Sequence, residues 1–115
     1  ASEECPVTDA YKNMILEAVD TSTTLTGEKF GAPVRGIKNE LTKKYHELEE
    51  RSSTLMELEE LTLGSLRRAV YDGDVENGSV MAGQIAGLVN EIRPVKNIIE
   101  DVIKEAREVL KRTEI

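Results

Sequence analysis

The sequence has no tryptophan, one phenylalanine (Phe30) and three tyrosines, so its core cannot rest on large aromatic anchors and has to come from Leu, Ile and Val. Cys5 is the only cysteine, which excludes an internal disulfide and suits a reducing cytoplasm. His46, the only histidine, sits between Tyr45 and Glu47 on a charged stretch and reads as an exposed structural residue; no metal site is expected. No run approaches the roughly 18 apolar residues of a membrane span. The net charge is −7 with basic residues dispersed among acidic ones, so no face suited to a phosphate backbone is expected, and nucleic acid is excluded as a partner. The opening Ala1-Ser-Glu-Glu-Cys-Pro has neither a basic segment nor an apolar run, so it is no signal peptide, and it reads as the start of an excised piece.

What is present is ordinary for one mainly α-helical domain: 115 residues, 39% hydrophobic and 32% charged, with no internal repeat. Thr8 is placed to cap a first helix running to about Val19, with Tyr11, Met14, Ile15, Ala18 and Val19 on a face that should be buried. Thr21 to Thr26 is rich in β-branched residues and ends at Gly27, which predicts a short strand in need of a partner, followed by a loop to Pro33. From Val34 or Arg35 the spacing of Ile37, Leu41, Tyr45 and Leu48 predicts a helix through Glu50, and Ser52-Ser53-Thr54 marks a break. Thr54 with Glu57 has the form of a capping box; the next helix begins near Gly64 or Ser65 and stops at Asp72-Gly73. Pro94 opens the last helix, where Val95, Ile98, Ile99, Val102, Ile103, Ala106, Val109 and Leu110 recur at the helical period over about 28 Å.

Between these helices lies the run Asp72-Gly-Asp-Val-Glu-Asn-Gly-Ser79-Val-Met-Ala-Gly-Gln-Ile-Ala-Gly-Leu-Val89, a polar turn followed by a segment crowded with Gly and Ala. Gly73, Gly78, Gly83 and Gly87 carry no Cβ and allow another backbone or a flat ligand to come close, and Ala82 to Val89 is expected to be a short helix with a small-residue face. Read from the residues alone, that face is a packing surface, Ser79 is a helix N-cap, Met81 is core filler and Arg35 belongs to an ordinary salt bridge. Paired carboxylates such as Asp72 and Asp74 have no partner that would make them acid and base, and read as solvent-facing.

The order of residues in that run resembles the C-terminal signature of the flavin-dependent enoyl-ACP reductase II and nitronate monooxygenase family. Gly31-Ala-Pro-Val-Arg-Gly-Ile-Lys-Asn39 is similar to a second family segment at the expected distance upstream, and the likeness extends over nearly all of the chain. Ala32 departs from the pattern, since many relatives have His there. The resemblance implies the C-terminal, mainly α small domain of an FMN enzyme, with one or two short strands. The (β/α)8 barrel itself, which takes about 200 residues or more, should be absent. On that reading residues 1–20 are the tail end of the barrel with its following helix, 21–92 are the small cap or substrate domain, and 93–115 are the C-terminal amphipathic helix.

It further implies that Ser79, Ala82, Gly83 and Gln84 lie near flavin or substrate, that Arg35 is a candidate anion contact, and that the catalytic His belongs to the barrel and is not His46. FMN, NAD(P)H and an acyl-carrier-protein thioester are the cofactor and substrates implied for the whole enzyme, a cytoplasmic one of fatty acid biosynthesis. The missing barrel is the implied partner. The isolated chain is expected to hold no FMN, to be inactive, and to self-associate through faces the barrel would cover. A nitronate monooxygenase segment and a stand-alone helical interaction module are the alternatives.

Overall fold

The computed structural model describes residues 1–51 and 54–114; the break expected at 52–54 falls mostly outside them. Among the described residues the chain is mainly helical, with one two-stranded antiparallel sheet and no barrel. It divides into two compact units, Val7–Asn90 and a second made of Ala1–Pro6 with the residues from Glu91 on.

In the larger unit, α1 (Asp9–Leu16) starts at Thr8, whose hydroxyl accepts from Tyr11 N and donates to the Ala69 carbonyl at 2.9 Å. This single threonine therefore satisfies a free helix donor and ties α1 to α4 (Ser65–Val70). Tyr11 and Ala18 are buried and Met14 and Ile15 pack beside them, but Val19 is 57% exposed. The helix ends at Leu16, so residues 18 and 19 no longer follow its period and the expected five-residue face stops short.

The strand β1 (Thr23–Thr26) pairs antiparallel with β2 (Val34–Ile37), Thr23 facing Ile37 and Thr26 facing Val34. This corrects the helix expected from Val34 or Arg35. Ile37 does align with Leu41, Tyr45 and Leu48 at helical spacing. Between Ile37 and Leu41, however, Asn39 adopts extended backbone and caps α2 (Glu40–Glu50), so the apolar stripe crosses an element boundary. Pairing with β1 then claims Val34–Ile37 as strand, a non-local gain that local periodicity does not register.

The helices α3 (Leu55–Thr62) and α4 follow as expected; the Thr54 hydroxyl accepts from Glu57 N, and Gly73 past the end of α4 has φ +73°. The expected Ala82–Val89 helix is instead a single 3-10 segment, Gln84–Leu88, preceded by Gly83 in extended conformation. The core joins Tyr11, Ala18, Ile37, Ala69, Val80 and Ala86.

In the smaller unit, α5 (Val95–Thr113) follows Pro94, and its free Val95 N–H donates to Glu4 Oε2 at 2.8 Å. Arg93 pairs with Glu91 and Asp101, and its backbone bonds Ala1 and Glu3. The apolar stripe read from the sequence is there, but Ile99, Val102, Ile103, Val109 and Leu110 are each about half exposed or more within this chain. No helix among the described residues is long and apolar enough to cross a membrane.

Candidate functional site

The two separated motifs, 31–39 and 72–89, are brought together along the free edge of β2. Ile37 N donates to the Val80 carbonyl at 2.8 Å, Ala82 N to the Arg35 carbonyl at 3.4 Å, and Gly36 pairs antiparallel with Met81. Residues 80–82 therefore run beside β2 as a short third strand in all but length. Gly36 is required at this crossing, since a Cβ there would stand 2.9 Å from the Val80 carbonyl oxygen.

Asn39 locks the arrangement. Its Oδ1 accepts from Thr42 N while its Nδ2 donates to the Val75 and Gly78 carbonyls, both at 2.7 Å. Leu41 N adds a bond to the Glu76 carbonyl at 3.1 Å. One amide thus caps α2 and holds the polar turn in front of Ser79, using three of its four hydrogen-bonding positions. Within the 31–39 motif, Asn39 carries no obvious role until the fold is known. The Asn-x-x-Thr spacing before a helical stretch was the available signal.

Ser79 caps no helix. Its hydroxyl lies 2.6 Å from that of Ser65, and its N–H donates to the Ser65 carbonyl at 2.9 Å, so it is tied to the first turn of α4. The pair stands on the wall of a cavity of about 260 Å³ also lined by Thr26, Tyr45, Thr62 and Met81. Met81 is 44% exposed rather than core, and its carbonyl accepts from the buried Tyr11 hydroxyl at 2.8 Å. At the floor of β1, the buried Glu49 accepts from Gly27 N at 2.9 Å, while its carbonyl accepts from Lys29 Nζ at 2.7 Å.

Burial, and secondarily the Glu49 carboxylate, raises the Tyr45 phenol above the usual tyrosine value. A raised folded pKa favours the neutral phenol in the fold. Its contribution to stability is complete below the unfolded tyrosine pKa of about 10 and is lost as pH rises through the folded value. An absorbance titration of tyrosinate should accordingly contain a late step that disappears in Tyr45→Phe; loss of an early step instead would contradict the placement.

Of the other residues singled out from the sequence, Ala82 packs against the core, and Gly83 and Gln84 are exposed beyond the cavity wall. A Cβ at Gly83 would meet nothing within 4 Å, whereas Gly87 backs onto the Val19 carbonyl carbon at 2.8 Å. Close approach within the chain is thus a property of Gly27, Gly36, Gly78 and Gly87, and the space over Gly83 is open. Arg35 Nη1 donates to Thr23 Oγ1 at 3.1 Å. His46 Nε2 lies 3.2 Å from Thr24 Oγ1. Among the described residues no group of three or more His, Cys, Asp or Glu side chains could hold a metal ion.

The family model described as nitronate monooxygenase matches residues 1–105. A probable nitronate monooxygenase of Staphylococcus saprophyticus is 29% identical over 111 residues, 96% of this chain and 31% of that protein. The structure of FabK from Thermotoga maritima superposes with a TM-score of 0.90 at 45% identity, over 96% of this chain and 35% of FabK. A mutant of the same FabK, with one methionine replaced by alanine, superposes at 0.80 with 40% identity, over 96% of this chain and 32% of that one. The chain therefore spans about a third of the length of these relatives.

Proposed function

Because the chain belongs to the nitronate monooxygenase family, a family of flavin enzymes, we propose that it is the C-terminal segment of a flavin-dependent enoyl-ACP reductase II. The reading is supported by the 45% identity with FabK, against 29% with the probable nitronate monooxygenase. The observation that carries it is the joining of the two family motifs by Asn39 and β2, which leaves Gly83 and Gln84 exposed directly after the strand-like run 80–82. The second reading, a segment of a nitronate monooxygenase, is favoured by the family description and by the staphylococcal relative.

The redox chemistry would belong to the cofactor: a bound FMN would supply hydride transfer between NAD(P)H and an enoyl thioester. The residues of this chain fit one wall of such a site. Gly83 keeps its backbone open to a planar ring, Gln84 offers an amide that both donates and accepts, and the Ser65–Ser79 pair holds the preceding turn rigid. The adjoining cavity, about 260 Å³, is smaller than the roughly 300–1,000 Å³ of a full ligand pocket. The catalytic His and the phosphate-binding loops are assigned to the barrel portion of the longer protein.

Two results are expected. The isolated chain should show no saturable FMN binding below about 100 μM when flavin fluorescence is followed; micromolar binding would mean the site is complete here. In the longer protein, Gly83→Val should abolish flavin retention or turnover, while Lys104→Ala on α5 leaves both unchanged. Assays of that protein for NAD(P)H-dependent enoyl thioester reduction and for nitronate-dependent O₂ consumption decide between the two readings.

The exposed stripe of α5 is assigned to contact with the missing barrel portion. Deprived of it, the isolated chain should self-associate, since contiguous apolar surface above a few hundred Å² drives contact. Light scattering that reports a monomer at high concentration would contradict this.

A further inference from the structure

We propose that Glu49 is a positioning residue for the cavity beside Ser79: acting through Gly27, it fixes the loop between β1 and β2 as the wall against which the acyl chain of an enoyl thioester lies. The substrate named here rests on the reading of the chain as a reductase segment. The anchoring of the loop does not.

Glu49 stands in the last turn of α2 and is only 9% exposed. Helix formation does not call for a carboxylate there, since the C-terminal turn carries the negative end of the helix dipole, and burial strips its hydration. What it does instead is hold the loop. Its Oε1 accepts from Gly27 N at 2.9 Å, and its carbonyl accepts from Lys29 Nζ at 2.7 Å. Among the described residues these are the only hydrogen bonds that join 27–33 to anything outside itself.

The rest of the loop is tied to Gly27. Its carbonyl accepts from Phe30 N at 3.3 Å and from Ala32 N at 3.1 Å, and its left-handed backbone, φ +80°, turns the chain so tightly that a Cβ would collide with the Ala32 carbonyl oxygen. Residues 28–34 are exposed, and an exposed loop with few anchors opens at small cost. One carboxylate therefore sets Gly27, and Gly27 sets Ala32.

Ala32 lines the cavity of about 260 Å³, together with Val34, Tyr45, Met81 and the Ser65–Ser79 pair. None of the residues lining it is charged, and Ala32, Val34 and Met81 give it an apolar part that suits an uncharged acyl chain. Tyr45 lies one turn before Glu49 on α2, and its phenol, raised by burial and then by the Glu49 carboxylate, reports on that charge.

Glu49→Gln keeps an acceptor oxygen and removes the charge, whereas Glu49→Leu keeps the bulk and removes the acceptor. In this chain, amide hydrogen exchange followed by NMR should speed about tenfold or more at Gly27 and Ala32 in the leucine variant, and stay within about twofold in the glutamine variant. The Tyr45 phenol should titrate earlier than in the parent in both. Lys29→Ala, at an exposed side chain, removes the second tie and should speed the same amides by less; it decides the matter if the leucine variant fails to fold by circular dichroism. In the longer protein, the KM for an octenoyl thioester should rise about tenfold in Glu49→Leu with kcat changed less than about twofold, and Glu49→Gln should keep the parent KM. Unchanged exchange in Glu49→Leu, or in Lys29→Ala where leucine does not fold, overturns the proposal, and so does a loss in kcat rather than in KM. A longer protein whose parent form reduces no enoyl thioester refutes the reductase reading and the substrate with it, while the exchange rates still decide the anchor.

Discussion

Replacing Gly78 by alanine is expected to abolish cooperative unfolding of the Val7–Asn90 unit, or to lower its stability by more than about 3 kcal/mol. A Cβ at this position would stand 2.6 Å from Ala69 N and 2.8 Å from Ala69 Cβ, and closer still to the Asp74 carbonyl oxygen. All three obstacles are backbone or a fully buried methyl, since Ala69 has no exposed surface. No flexible side chain can yield, so the cost exceeds the usual ~1–3 kcal/mol of overpacking and takes a large share of a total stability of about 5–15 kcal/mol. Gly83→Ala is the matched control. Its Cβ enters open space, and the change should stay within about 0.5 kcal/mol. Urea unfolding followed by circular dichroism compares the two, and equal midpoints would refute the steric account.

Asn39→Asp is expected to cost about as much as, or more than, Asn39→Ala, although it is the conservative change and keeps the helix cap. Alanine loses the cap, worth about 1 kcal/mol, and two hydrogen bonds of about 1 kcal/mol each. Aspartate retains the acceptor for Thr42 N but turns an ionised oxygen toward the Val75 and Gly78 carbonyls, now 2.7 Å from the amide nitrogen. Three acceptors then share a space that held one double donor. The carboxyl is stabilised by protonation, so its folded pKa rises and part of the lost stability should return as pH falls through that value. If Asp proves as stable as Asn at pH 7, the Nδ2 bonds do not hold the turn. In the flavin enzyme proposed above, either substitution is expected to free the turn before Ser79 and to lower turnover.

The parts of the fold read correctly from the sequence are those decided within a few residues. Thr8 and Thr54 cap their helices, the segment after Gly64 forms a helix that ends before Gly73, and α5 follows Pro94, because capping, turn chemistry and the 3.6-residue period act over one or two turns. The family was likewise legible, since it lies in the order of residues from 31 to 39 and from 72 to 89. What those segments do to each other was not. Val34–Ile37 became a strand because β1 on one side and residues 80–82 on the other supplied backbone partners, and the apolar stripe through Ile37 had suggested a helix.

The same limit applies at the candidate sites. Ser79 meets Ser65 across 14 positions, and Asn39 reaches Val75 and Gly78 across 36 and 39. Thr42, Lys43 and His46 share one face of α2 by helical spacing, but Thr24 meets His46 across 22 positions only because β1 packs against that face. The sequence by itself therefore determined the capped starts at Thr8 and Thr54, the stop before Gly73, the start of the last helix after Pro94, and which family the chain resembles. Tertiary structure alone decided which edge of β2 the glycine-rich run pairs with, which glycines stand against backbone, and which side chain anchors the loop 27–33. The physical reason is that hydrogen bonds and excluded volume act between surfaces in space, and residues distant in sequence carry no local pattern that records their meeting.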